Sequence, residues 1–266
     1  ITFIATLSVV SGIDKGVKFL SEMNIKIAFV FMIAVLLLGP TTYIIKLFSN
    51  ALGIYLNDFI KSSFFVSVGH NSWQGSWSVF YLAWWISWSP FVGMFIARIS
   101  KGRTIRQFIL GVLLVPSLFG IIWFAVFGGT ALNFEIFRGY NIAELVQNDI
   151  TSALFATLAY LPLGKIISIV AITLIITFFI TSADSATFVL GMLSSKGDLN
   201  PSNKIKILWG IIQSSIAMVL LWSGGLNSLQ TVAIIMALPF TFIMIFMCFS
   251  IHKALKGEKA CKNNEV

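Results

Sequence analysis

The sequence predicts an all-α integral membrane protein, and two observations carry that class. Of the 266 residues, 58% are hydrophobic and only 11% are charged, where a soluble domain is about one-quarter charged. Apolar runs at 25–45, 108–127, 166–180 and 232–251 approach or pass the roughly 20 residues that cross a ~30 Å hydrocarbon core. These runs show no period-2 alternation. Lipid offers backbone polar groups no partner outside a helix or a closed barrel, so each run reads as a helix.

In chain order, the end of one span is expected at 1–11. Full spans follow at about 24–46, 75–97, 107–129, 164–192, 207–223 and 228–251. Near 51–65, the segment from Leu52 to Ile60 is too short to cross and sets Asn57 and Asp58 beside apolar neighbours. It is expected as a helix lying on the outer surface. The stretch 130–163 carries Glu135, Arg138, Glu144 and Asp149 and reads as an external loop with helical pieces. Residues 1–251 are thus one membrane domain, and 252–266 a tail. Because the chain opens inside the apolar run Ile1 to Val10 with no basic leader, it is expected to be a fragment whose earlier spans are missing.

The formal charge is +8, but its distribution follows a membrane and forms no basic face for nucleic acid. With the spans laid alternately, one side holds fourteen of the eighteen Lys and Arg residues: Lys15, Lys18, Lys26, Arg98, Lys101, Arg103, Arg106, Lys196, Lys204, Lys206 and the tail lysines 253, 256, 259 and 262. The other side holds Lys46, Lys61, Arg138 and Lys165. The positive-inside rule makes the first side, and with it the C-terminus, cytoplasmic in a cell membrane. Cys248 and Cys261 do not form a disulfide framework.

The span at 75–97 holds four of the eight tryptophans. Trp77, Tyr81, Trp84, Trp88 and Phe91 follow i, i+4, i+7, i+11 and i+14, which places them on one helical face. Trp85 widens the stripe, and Phe80 lies one turn above Trp84. A trimethylammonium group has charge but no N–H donor, so aromatic faces suit it where hydrogen bonds do not. An interfacial belt or plain packing produces similar stripes; against a belt, Trp84 to Trp88 lie mid-span. Pro90 and Gly93 follow at once, and a proline that frees the Ile86 carbonyl is expected to loosen the helix there. Broken helices of this kind line binding sites in transporters.

The span at 164–192 is rich in hydroxyls. Thr181, Ser182 and Ser185 fall within about one turn, with the Phe178 carbonyl one turn earlier. Neutral oxygens of this type can hold sodium, although Ser and Thr also bond their own helix carbonyls. Asp184 is the one acidic residue well inside a span, and such carboxylates are costly unless paired or functional.

From Ala83 through Ser100 and from Gly102 through Pro116, the sequence resembles the signature helix and following loop of the betaine/choline/carnitine transporters; Phe178 to Ser185 is similar to that family's tenth span. The resemblance runs over essentially the whole chain. It implies a partial leucine-transporter-like inverted-repeat fold, from the end of span six to span twelve, and a homotrimer. It also implies a substrate site at Trp84, Trp85 and Trp88, joined on the stripe by Phe80 and Tyr81. Sodium would sit at Phe178, Thr181 and Ser182, and Phe91 would lie near a second sodium site. The family's other cage aromatics and its glycine-rich broken helix lie in earlier spans and have no counterpart in this sequence.

The expected function is therefore import of a quaternary-ammonium osmolyte, glycine betaine by sodium symport with alternating access, for osmoprotection. Sodium is the coupling ion, and no other cofactor is called for. Choline or carnitine transport, including sodium-independent exchange, is the alternative. An intramembrane enzyme is disfavoured because His70 and His252 sit at span ends and Asp184 has no second in-span carboxylate beside it. A tail that senses anionic lipid through Lys253, Lys256, Lys259 and Lys262 fits as an accessory role.

Overall fold

The computed structural model describes residues 18–69, 72–198 and 200–263. The span end expected at 1–11 lies outside them. The described residues are mostly helical, without a strand, and five helices are long and apolar enough to cross a membrane. The contacts divide the chain into two compact units, 1–66 with 100–184 and 67–99 with 185–266.

The first unit begins with α1, Lys18–Leu38. The expected span 24–46 is corrected here, for the helix ends eight residues sooner. Pro40 cannot donate to a preceding turn and disfavours helical backbone at Gly39. The chain restarts as α2, Thr41–Ser63, and the Thr41 hydroxyl donates to the Leu36 carbonyl at 2.5 Å. A Cβ at Gly39 would lie 2.7 Å from the Val35 carbonyl and 3.2 Å from the Thr130 hydroxyl, so the break needs glycine for its close approach. The segment expected near 51–65 forms the C-terminal half of α2, whose only buried residue is Ile44. The N-terminal half packs on Gly129, where an added Cβ would meet Leu47 at 3.2 Å and Ile44 at 3.5 Å.

Helix α4, Ile105–Arg138, follows α3, Phe80–Ile99, which belongs to the second unit. Thr104 and Gln107 cap it reciprocally, each side chain accepting from the other's backbone N–H at 3.3 and 3.1 Å. Gly139, at φ 67° and ψ 26°, ends it in the left-handed region. Residues 130–138, expected in a loop, therefore continue the helix, because nothing before Gly139 interrupts it. The Glu135 carboxylate is not stranded there: it accepts from the Ile142 and Ala143 amides at 2.7 and 3.0 Å and thereby caps α5, Ile142–Asn148. Tyr140 and Tyr160 stack at 3.9 Å and close this connection. Thr151 donates to Asp149 through its amide and its hydroxyl, which holds the Asp149 carboxyl below its ordinary range.

After α6, Ala153–Ala159, a tight turn launches α7, Gly164–Ser194. Leu163 adopts φ 61°, costly for a residue with a Cβ. Gly164 is confined more severely: a Cβ there would stand 2.5 Å from the Leu158 carbonyl and 3.0 Å from that of Ala159. Backbone oxygens cannot swing aside. Gly164→Ala is expected to destabilise the protein by about 2–4 kcal/mol. A heated, detergent-solubilised sample should lose its monodisperse chromatographic peak well below the wild-type temperature, and an unshifted midpoint would refute this. The core of this unit joins Phe31 and Val35 of α1, Phe127 and Phe134 of α4, Leu158, and Ile167, Ala171 and Leu174 of α7; the Phe31 and Phe127 rings are 5.1 Å apart.

The second unit contains α3, Phe80–Ile99, which continues a π-helical turn at Gly75–Val79. It also contains the end of α7 and helix α8, Asn203–Asn263. Non-helical backbone at Gly224 and Gly225 breaks α8 into arms that match the spans expected at 207–223 and 228–251. Gly225 has φ 63° and ψ −146°, a combination essentially restricted to glycine. Phe91 of α3 meets Phe240 of α8 edge-to-face at 5.3 Å.

Candidate functional site

Helix α3 carries no charged residue before Arg98, so its aromatic face is an apolar surface with only ring electrostatics and hydroxyls to recognise a ligand. The rings form two groups. Trp77 and Tyr81 stack in parallel at 5.9 Å and 7°. Tyr81 leans on Trp84 at 5.8 Å, and Phe80 stacks on Trp84 at 6.0 Å and 22°. Trp88 makes its ring contact with Trp85, edge-to-face at 5.9 Å and 73°. The continuous stripe expected from spacing is thus divided, since Trp85 rotates Trp88 into its own pair.

These rings are not used up by packing. Trp84, Trp85 and Trp88 keep 46%, 58% and 44% of their surface exposed, whereas Ala83, the residue just before them, is buried. The large side chains turn outward and the small one inward, the reverse of a core helix. Their faces remain available to a cation.

Pro90 does not break α3, which runs helically through it. The Ser87 and Ser89 hydroxyls donate to the Trp84 and Trp85 carbonyls at 2.9 and 2.5 Å, keeping the backbone under the rings polar-satisfied. The irregularity lies instead at the π-helical turn Gly75–Val79, which carries Trp77, the first ring of the stripe. Its neighbour Gln74 accepts from the Ser67 amide at 2.9 Å. Sequence periodicity does not register a π turn, because it is a change in hydrogen-bond register and not in residue type.

In the first unit, α7 presents the hydroxyl series. Thr181 Oγ1 lies 2.9 Å from the Phe178 carbonyl oxygen, so two of the three oxygens expected to hold a cation are adjacent. Ser182 is exposed one residue further on. Thr173 and Thr177 also bond backward, to Ile169 and Thr173 at 2.9 and 2.8 Å. Asp184 is fully buried in the same helix. Phe91, expected near a second cation, lies in the other unit against Phe240. Among the described residues no three His, Cys, Asp or Glu side chains gather as metal ligands.

Five helices long and apolar enough to cross a membrane define a multi-pass membrane protein, and comparison with known proteins specifies it. The sequence model of the betaine/carnitine/choline family transporters (BCCT) matches residues 1–260. The glycine betaine transporter OpuD of Bacillus subtilis is 46% identical over 262 residues, covering 97% of this chain and 51% of that protein. An ectoine/hydroxyectoine transporter of Virgibacillus pantothenticus is 46% identical, covering 100% and 53%. A probable glycine betaine transporter of Desulfitobacterium hafniense is 44% identical, covering 97% and 52%. The chain belongs to the betaine/carnitine/choline transporter family. It spans about half the length of the curated relatives it matches.

Proposed function

We propose that the protein imports a small zwitterionic osmolyte with a quaternary ammonium head, glycine betaine, by sodium symport with alternating access. The observation that carries this reading is the row of half-exposed tryptophans on the stretch of helix α3 that carries no charge before Arg98, in a chain that belongs to this family. Trp84, Trp85 and Trp88, flanked by Phe80 and Tyr81, form one wall of the cation cage. Sodium is held through the Phe178 carbonyl and the Thr181 and Ser182 hydroxyls. The names of the relatives, glycine betaine in two and ectoine in one, support an osmolyte substrate. The uneven spread of Lys and Arg supports a cytoplasmic C-terminus. The family resemblance supports a homotrimer and the inverted-repeat fold.

Uptake of radiolabelled glycine betaine by the full-length protein in proteoliposomes, with and without an inward sodium gradient, tests the proposal. Accumulation should require sodium and be competed by excess unlabelled betaine more strongly than by choline, carnitine or ectoine. Uptake that persists undiminished without sodium would overturn the symport. Preference for another compound in the panel would overturn the substrate.

A further inference from the structure

At the C-terminal end of the tryptophan helix, two cations share one ring. The Arg98 guanidinium lies 4.5 Å from the centroid of Phe188 on α7, and the Lys206 ammonium of α8 lies 5.5 Å from the same centroid. Arg98 also donates to Asn200 Oδ1 at 2.9 Å and approaches Met192 Sδ at 3.9 Å. Asn200 is itself fixed, its amide donating to Asp198 at 2.9 Å. A single side chain of α3 therefore touches α7 and the α7–α8 connection at once.

The surroundings make Phe188 a rigid platform. It is 4% exposed, and neighbouring bonds fasten α7 to α8: Trp209 donates to Ser194 at 2.7 Å, and Gln213 to Thr187. Gly191 lets Pro201 come close, since a Cβ there would meet the proline ring at 3.0 Å. Lys206 is only 8% exposed, so it cannot easily retreat into water. Two like charges at one ring repel each other through poorly hydrated surroundings, while each is attracted to the ring's face. Arg98 is further held by Asn200. Lys206, anchored at the first turn of α8, stays beside the ring whether or not Arg98 is there.

We propose that Phe188 is a shared cation platform, and that the Arg98 contact with it and with Asn200 is a releasable latch on the C-terminal end of the tryptophan helix, weakened by Lys206. Lys206 sets how easily the latch opens: its charge lowers the cost of Arg98 leaving and keeps the vacated ring paired with a cation. Arg98 is in this sense a positioning residue, acting on the aromatic wall through the helix that carries both.

The sign of the Lys206 effect separates a latch from ordinary packing. In the full-length protein with Cys248, Cys261 and any other native cysteine replaced by serine, a cysteine at position 97 (Ala97→Cys) reports the freedom of the helix end through its rate of labelling by a charged maleimide. Arg98→Lys keeps the charge but loses the planar stack and the fork, and should speed labelling about five- to tenfold. Asn200→Ala, at an exposed site, should act in the same direction. Lys206→Met keeps the stem and removes the charge, and should slow labelling about threefold. Unchanged rates in Arg98→Lys and Asn200→Ala would overturn the latch, as would Lys206→Met speeding labelling as they do. Phe188→Leu should match Arg98→Lys if it folds; the other three variants decide the matter if it does not. A second arm rests on the transport reading: betaine turnover should fall in Lys206→Met with KM unchanged. Absence of uptake in the parent protein would sink that reading while leaving the labelling result to judge the latch.

Discussion

Trp88→Leu is expected to raise the apparent KM for glycine betaine about ten- to thirtyfold in the full-length transporter, with a smaller change in maximal velocity. A desolvated Trp face contributes about 2 kcal/mol to a bound cation, and an exposed one about 0.5–1 kcal/mol. The larger figure corresponds to roughly thirtyfold in affinity and the smaller to a few-fold. Trp88 retains 44% of its surface, which leaves a free face for the ligand, while its edge contact with Trp85 fixes its orientation before the ligand arrives. A cage closed around a trimethylammonium head excludes water, so the upper part of the range applies. Trp88→Phe keeps a ring of weaker quadrupole and should lie between wild type and Leu. Trp222, 94% exposed on α8, is the control: Trp222→Leu should leave KM unchanged. If Trp88→Leu takes up betaine with near-normal KM, the wall is packing and not a cage.

The parts of this molecule that periodicity governs were readable from residue types, and the parts that pairing governs were not. Trp77, Tyr81, Trp84 and Trp88 recur at helical spacing, so their common helix and outward face are local properties of 75–97. The division into two ring groups depends on where Trp85 points, which a spacing pattern does not encode. Hydropathy carries on from Leu38 into Tyr43, Ile44 and Ile45, and a window average therefore runs the first full span through Gly39 and Pro40. The structure ends it there because backbone donors and carbonyl clearances decide the boundary. Glu135 and Arg138 suggested a loop by their charge, yet Glu135 is used as a cap for α5 and Arg138 rests over the Phe134 ring at 4.9 Å, so both are accommodated at the end of a long helix. The Arg98–Phe188 contact joins residues far apart in the chain, and neither residue belongs to a local motif that would announce the other.

The hydroxyl cluster on α7 poses the sharpest choice between chemistry and plain helix structure. Thr181 bonds the Phe178 carbonyl at 2.9 Å, but Thr173 and Thr177 make comparable backward bonds, and such bonds are commonplace in apolar helices. The three threonines therefore form an internal comparison. If Thr181 and Ser182 supply oxygens to sodium, Thr181→Val, which keeps the shape and removes the hydroxyl, should raise the sodium concentration for half-maximal uptake about tenfold. An interaction of a neutral oxygen with a charged partner is worth about 1.5–3 kcal/mol, and 1.4 kcal/mol is tenfold. Thr181→Ala with Ser182→Ala should flatten the sodium dependence altogether, while Thr181→Ser should restore it. Thr173→Val and Thr177→Val remove equivalent backbone bonds and should leave the sodium curve in place. A helix that merely satisfies its own carbonyls predicts that all three valine variants behave alike, so sodium titration of uptake across the series distinguishes an ion ligand from a hydroxyl serving its own backbone.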